Sequence, residues 1–322
     1  MTSLNARPAL RAFVFAAIAS TGLMLHGLAA AAEAPPLPAQ TSYASPEDAL
    51  KGLVAALRVG NTKAVETVLG PGSGPLLRSG DATADENARE QFLAAYDEAS
   101  KTDKDENGKV IFEVGKDEWP FPIPVVERDS RWRFDSKAGA QEIIDRRIGA
   151  NELNTINVCL AYVDAQREYA SVDRDRDGYL EYAQKFMSSP GKRDGLYWPA
   201  PVGEEDSPMG PLMVNAQAKG YQFAEGKPTP YYGYYYRILK GQGPNAPGGA
   251  MDYVIRDHMI GGFALVAYPA SYGSSGIMTF IVNYDGDVYQ KNLGPKTTEI
   301  AEKMTAYNPD SSWTKVEPGA AH

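Results

Sequence analysis

Twice along this chain the apolar pattern switches from a helical period to a strand period, and that repeated switch limits the fold more than any other feature. The first helical stretch opens at Ser45-Pro46, with an N-cap serine, a proline at the first helical position and acidic Glu47 and Asp48 in the first turn. Leu50, Leu53, Val54 and Leu57 then recur on one face, and Gly60-Asn61 ends the segment. A second helix is expected over 62–69, stopped by Gly70-Pro71-Gly72, and a third over about 84–100. From Lys109 the residues alternate, 121–128 is extended and broken by prolines, and 131–135 follows an Asp129-Ser130 turn. The second switch starts with a long helical region over 137–170, whose expected apolar stripe runs through Ile143, Ile144, Ile148, Leu153, Ile156, Leu160 and Val163. Strands are expected over 232–240, 262–268 and 277–284, with Asp285-Gly286 turning into 287–291. Helices followed by antiparallel strands, twice over, predict an α+β protein of two domains, 43–145 and 146–316, each with its own core. Gly149 is read as a break near their boundary, with Leu53, Leu57 and Trp132 in the first core and Leu160, Phe263 and Phe280 in the second.

Ahead of these domains, Arg7 and Arg11 precede an apolar run from Ala12 to Leu25, and Ala30-Ala31-Ala32 fits a signal-peptidase site. Residues 1–32 therefore read as a cleaved export signal, 33–42 as a Pro/Ala linker and 317–322 as a tail. The apolar run is shorter than the roughly 20 residues of a membrane span. The expected product is periplasmic or secreted, without a membrane span in the mature chain and without a lipid anchor, since no cysteine stands near the cleavage point. Cleavage removes two of 32 basic residues and none of the 41 acidic ones, a balance that argues against nucleic acid or anionic lipid as partner. Cys159 is the single cysteine, so no intrachain disulfide exists, and its apolar neighbours predict a buried thiol.

The strongest local motif is Asp173-Arg-Asp175-Arg-Asp177-Gly178-Tyr179-Leu180-Glu181. Calcium takes several hard oxygens around one point, and a D-x-D-x-D-G run supplies alternate carboxylates, a glycine for the sharp turn and the Tyr179 carbonyl. Leu180 stands at the apolar eighth position and Glu181 at the ninth. Gln184 takes the twelfth position in place of a bidentate glutamate, which predicts weak binding. The expected ligand set is Asp173, Asp175, Asp177, Tyr179, Glu181 and Gln184, holding a structural calcium. A similar run from Asp103 to Val114 lacks the later ligands, and Asn107-Gly108 reads better as a turn.

Catalytic motifs are scarce. After cleavage only His258 and His322 remain, too few for a histidine zinc site. Asp257-His258 with Ser274 or Ser275 makes a triad only on paper, because the serines lie in a hairpin-like Gly-Ser-Ser-Gly rather than a G-x-S-x-G elbow. Aromatic rings gather around Pro/Gly loops. Strand alternation puts Tyr232, Tyr234 and Tyr236 on one face and Tyr231 and Tyr235 on the other. Tyr197, Trp198, Tyr231 and Tyr235 are the candidate ligand-binding rings, suited to an envelope protein or glycan partner.

The helices and the meander ending in WRFD resemble the cone-shaped folds of the NTF2-like type, with helices over a curved sheet. The stretches RRIGANELNTINVCLAYVDAQREYAS (146–171) and GGFALVAYPASYGSSGIMTFIVNYDGDVYQKNLG (261–294) are similar to the long helix and sheet of type IV pilin-like proteins. A pilus subunit exposes an N-terminal apolar helix, whereas this helix is internal. On the blocks GKRDGLYWP, GGFALVAYPA and SGIMTFIVN the chain, from about 43 to 316, resembles an exported bacterial family, the domain of unknown function 2950. That resemblance implies no reaction. The reading is a non-catalytic envelope binding or assembly-support protein. The alternative is an envelope hydrolase using carboxylates in an interdomain cleft.

Overall fold

The Ser45 hydroxyl accepts the Asp48 N–H at 3.1 Å, which starts α1 (Pro46–Val59) where the sequence puts it. In this computed structural model, which describes residues 40–317 apart from 106, 107, 202 and 224–227, α2 (Thr62–Leu69) and α3 (Gly74–Leu77) follow. The proposed signal, most of the linker and most of the tail lie outside the described residues. α4 spans Ala82–Glu98, two residues earlier than expected, because Asp81 caps the Ala84 N–H at 3.0 Å. Five short strands come next: β1 (Ser100–Lys104), β2 (Val110–Val114), β3 (Trp119–Pro120), β4 (Val125–Arg128) and β5 (Arg131–Phe134). They form one antiparallel sheet in the order β1-β2-β4-β5, with β3 also paired to β2. β1 was not expected from the sequence, since its five residues are all exposed and carry no alternation. It forms because a hairpin pairs Asp103 with Ile111 and Lys104 with Val110. Leu50, Leu53, Val54, Val65, Phe112, Ile123 and Val125 bury together against this sheet, while Leu57 and Trp132 are partly buried at its margin.

α5 (Ser136–Tyr169) is a single 34-residue helix, so the expected break at Gly149 does not occur. One interior glycine costs only about 1 kcal/mol relative to alanine, and packing at both ends outweighs it. Its first turns lie against the first core through Ala140, Ile143 and Ile144. Gly139 is needed there, since a Cβ would collide with the Pro122 carbonyl. Its later turns bury Ile156, Cys159, Tyr162, Val163 and Tyr169 in a second core. Leu153 and Leu160, expected in the apolar stripe, are instead about two-fifths exposed. The buried face runs through Tyr162, whose hydroxyl donates to the Ala264 carbonyl at 3.2 Å, and fully buried Gln166, which bonds the Ala183 N–H and carbonyl at 2.8 Å each.

The second sheet has five strands, all antiparallel. Along the chain, α6 (Gly210–Ala218) precedes β6 (Tyr234–Leu239), and β7 (Gly241–Gln242) with β8 (Met251–Asp252), and β9 (Val254–Ile255) with β10 (His258–Met259), make two short ribbons. Then come β11 (Ala264–Pro269), β12 (Met278–Asn283), β13 (Val288–Asn292), α7 (Thr297–Glu302) and β14 (Thr314–Lys315). The sheet order is β14-β13-β12-β11-β6. Every residue of β11 is buried, with α5 and α7 both packed on it, which accounts for its unbroken apolar run. The architecture is α+β. Among the described residues no helix is long and apolar enough to cross a membrane.

Candidate functional site

The acidic loop leaves the C-terminal end of α5 and folds around Asp173. The Arg176 N–H donates to Asp173 Oδ1 at 2.7 Å and the Gly178 N–H to Oδ2 at 3.0 Å. The Gly178 bond, followed by the Arg176 one, holds the Asp173 carboxyl below its ordinary range despite some desolvation. Gly178 sits at φ 95° and Arg176 at φ 64°, the left-handed turns that bring the alternate side chains to one side. One carboxylate oxygen from each of Asp173, Asp175 and Asp177 then lies within 4.8 Å of the others. Three carboxylates this close repel one another in the absence of a cation.

The other expected ligands are differently engaged. Glu181 Oε2 lies 3.2 Å from His258 Nδ1, and Asp177 Oδ2 lies 3.3 Å from the same nitrogen. The Tyr179 ring stacks on that imidazole with centroids 4.6 Å apart. Gln184 donates to the Asp257 carbonyl and accepts from Lys240 Nζ at 2.9 Å, so its amide is held by the β9–β10 ribbon and β6 end. Leu180 is 60 % exposed, not packed as the eighth position of a paired calcium hand is. Sequence reasoning weighed His258 only for a triad and missed its place beside this loop, because it reaches the loop across 77 residues and no local pattern announces the contact.

A cavity of about 680 Å³ opens beside the loop and shares Asp175, Glu181 and Gln184 with it. That size falls within the range of small-molecule pockets. Arg174, the second residue of the acidic run, turns inward, with its side chain 5 % exposed. Its guanidinium lies over the Tyr169 ring at 4.8 Å and the Trp198 ring at 5.5 Å, and Nη2 bonds Glu205 at 3.1 Å. Nη1 donates to the Tyr169 and Val172 carbonyls. Arg193 also lies over Trp198 at 5.5 Å and bonds Glu205 at 2.8 Å. Burial, reinforced by Glu181, pushes the Tyr169 phenol up to about 12, and its hydroxyl donates to the Arg193 carbonyl at 2.9 Å.

The four candidate rings do not converge. Trp198 is buried under the two guanidiniums, and its indole N–H donates to the Glu205 carbonyl at 3.2 Å. Tyr197 is half-buried, its backbone laddered to 186–188. Tyr231 is buried in a separate small cluster with Val158, Ala216 and Tyr221. Tyr235 is half-buried against Tyr268, centroids 5.7 Å apart. The alternation expected through Tyr231–Tyr236 is interrupted by a two-residue turn. Tyr232 at φ 51° and Gly233 at φ 74° reverse the chain, and Tyr231 and Tyr234 exchange N–H···O bonds of 2.8 and 3.2 Å.

The paper triad is not assembled. His258 has Asp177 and Glu181 as polar partners, while Ser275 is fully buried and bonded to Ser271, and Ser274 bonds Arg147 at 3.3 Å. Asp103 and Lys104 of the imitation loop sit in β1, and Asp105 accepts the Lys109 N–H at 2.8 Å. Glu106 and Asn107 lie outside the described residues. Where the two cores meet, Asp81 Oδ2 accepts Tyr221 Oη–H and the Gly233 N–H, both at 2.9 Å. Glu152 Oε1 accepts the Ile277 and Met278 N–H groups, also at 2.9 Å. Both carboxylates are occupied by protein donors.

No curated protein and no solved structure matches the chain. The family described as "Protein of unknown function (DUF2950)" matches residues 40–316, nearly all of the chain beyond the proposed leader and linker, and the protein belongs to that family.

Proposed function

We propose that this protein is an exported, non-catalytic binding or assembly-support component of the cell envelope, periplasmic or secreted. Its Asp173–Gln184 loop takes a structural calcium ion at the rim of the ligand seat. One observation carries the reading: the acidic loop and the 680 Å³ cavity are one place, with Asp175, Glu181 and Gln184 common to both. Asp173, Asp175 and Asp177 would supply hard carboxylate oxygens, and Tyr179 its carbonyl. Glu181 and Gln184 complete the set only by leaving His258 and Lys240, so affinity belongs at the weak end, about 0.1–1 mM. The ion would supply charge neutralisation and loop order. The NTF2-like and pilin-like likenesses are part of the same proposal. Helices over the first sheet and α5 against β12 support them.

Calorimetric titration of the mature protein tests the calcium seat. The expected result is one weak site per chain, abolished by Asp175→Ala or Asp177→Ala and retained by Asp105→Ala. A protein that gives no heat at millimolar calcium has no such seat.

A further inference from the structure

The β9–β10 hairpin is a ribbon of two-residue strands, too short to hold its own shape in water. Its turn residues Arg256 and Asp257 sit at φ 49° and 71°, a left-handed pair that suits Asn-Gly and strains an arginine. The base of the hairpin is fixed, since Tyr253 and Met259 are fully buried and the Met259 carbonyl accepts the Tyr182 N–H at 2.8 Å. The tip is exposed from Ile255 to Asp257 and is clasped by the acidic loop. Asp177 and Glu181 share the one Nδ1 of His258, at 3.3 and 3.2 Å, Tyr179 stacks on its ring, and Gln184 donates to the Asp257 carbonyl. A single N–H does not point at two carboxylates at once, so both contacts are compromised. Three of the clasping groups, Asp177, Glu181 and Gln184, are the ones a cation in the loop draws on.

We infer that the hairpin tip is a latch that competes with the cation. An ion entering the loop takes Asp177 and Glu181 from His258 and the Gln184 oxygen from Lys240, and the strained turn is released. The inference rests on the calcium reading of this loop and adds its regulation. Release is confined to 255–258, because the buried base stays in place. Glu181 and Gln184 also line the cavity, so the exchange of partners moves one wall of the ligand seat. Linkage makes the competition reciprocal: whatever lifts the tip tightens cation binding, and whatever pins it weakens cation binding.

The test is amide hydrogen exchange of the mature protein with and without calcium chloride, read at 173–184 and 254–260, beside calorimetric calcium titrations. Calcium should slow exchange in the acidic loop and speed it about threefold or more at 255–258. His258→Phe keeps a ring for Tyr179 and removes the nitrogen, and should bind calcium about fivefold more tightly. Arg256→Asn eases the turn in its docked shape, and should bind calcium no more tightly than wild type although it removes a positive charge. Calcium heat with exchange at 255–258 unchanged or slowed overturns this inference and leaves the calcium seat standing. Tighter binding by Arg256→Asn, or unchanged or weaker binding by a folded His258→Phe protein, does the same. Should His258→Phe fail to fold, the exchange of the wild-type protein decides. A wild-type protein without calcium heat overturns both the latch and the seat.

Discussion

The Tyr221 hydroxyl donates to Asp81 Oδ2 at 2.9 Å, a bond that ties the N-cap of α4 to the segment after α6 in the small cluster around Tyr231. The same carboxylate caps Ala84 and accepts the Gly233 N–H, and it is 1 % exposed. Burial, reinforced by the Asp81 charge, raises the Tyr221 phenol, so the tyrosine stays a donor at any physiological pH. Asp81→Ala removes a helix cap and leaves two buried donors without acceptors. We predict a loss of about 3 kcal/mol, measured by urea unfolding. A change within a few tenths of a kcal/mol would mean the contact is dispensable.

The two apolar cores lead to a second prediction. We propose that 43–145 and 146–316 are separate folding units that share α5. Fragments 40–150 and 136–317, each given its part of the helix, should both melt cooperatively by circular dichroism, at lower temperatures than the whole. If both are unfolded, the chain has one continuous core.

Cys159 provides a third prediction. It is fully buried, and burial pushes its thiol up to about 12. The native protein should therefore resist a disulfide reagent at mildly alkaline pH and react with one equivalent once unfolded. Because the folded value is raised, its contribution to stability is complete below the ordinary thiol pKa of about 8.5. That contribution declines as pH rises from there towards about 12. Rapid labelling of folded protein would show that the core-facing side of α5 opens.

Export is the fourth. Mass spectrometry of envelope fractions should find the mature chain beginning at or near Glu33. Recovery of intact 1–32 on membrane-embedded protein would contradict the export reading.

Legibility followed locality. The cap at Ser45, the Gly60 stop, the buried alternation of Val110, Phe112 and Val114, and the apolar β11 and β12 all follow from short-range patterns that the structure keeps. Elements defined by partners were not visible: β1 has no apolar face, and α6 hides in a Gly/Pro-rich stretch. Gly149 misled because its local cost is small beside the packing along α5. In the site, the spacing of Asp173, Asp175 and Asp177 gave their convergence. The inward turn of Arg174 and the approach of His258 and Lys240 depend on long-range contacts, which a motif does not encode.

The central claim is that the loop from Asp173 to Gln184 is a cation seat built into the ligand cavity. Its most direct test is thermal unfolding of the mature protein in millimolar calcium against chelator. With roughly 1 mM free calcium and a dissociation constant near 0.1 mM, mass action adds about 1.4 kcal/mol. The account predicts a midpoint raised by a few degrees, with the rise absent in Asp175→Ala and Asp177→Ala and present in Asp105→Ala. An identical midpoint in calcium and chelator would contradict it.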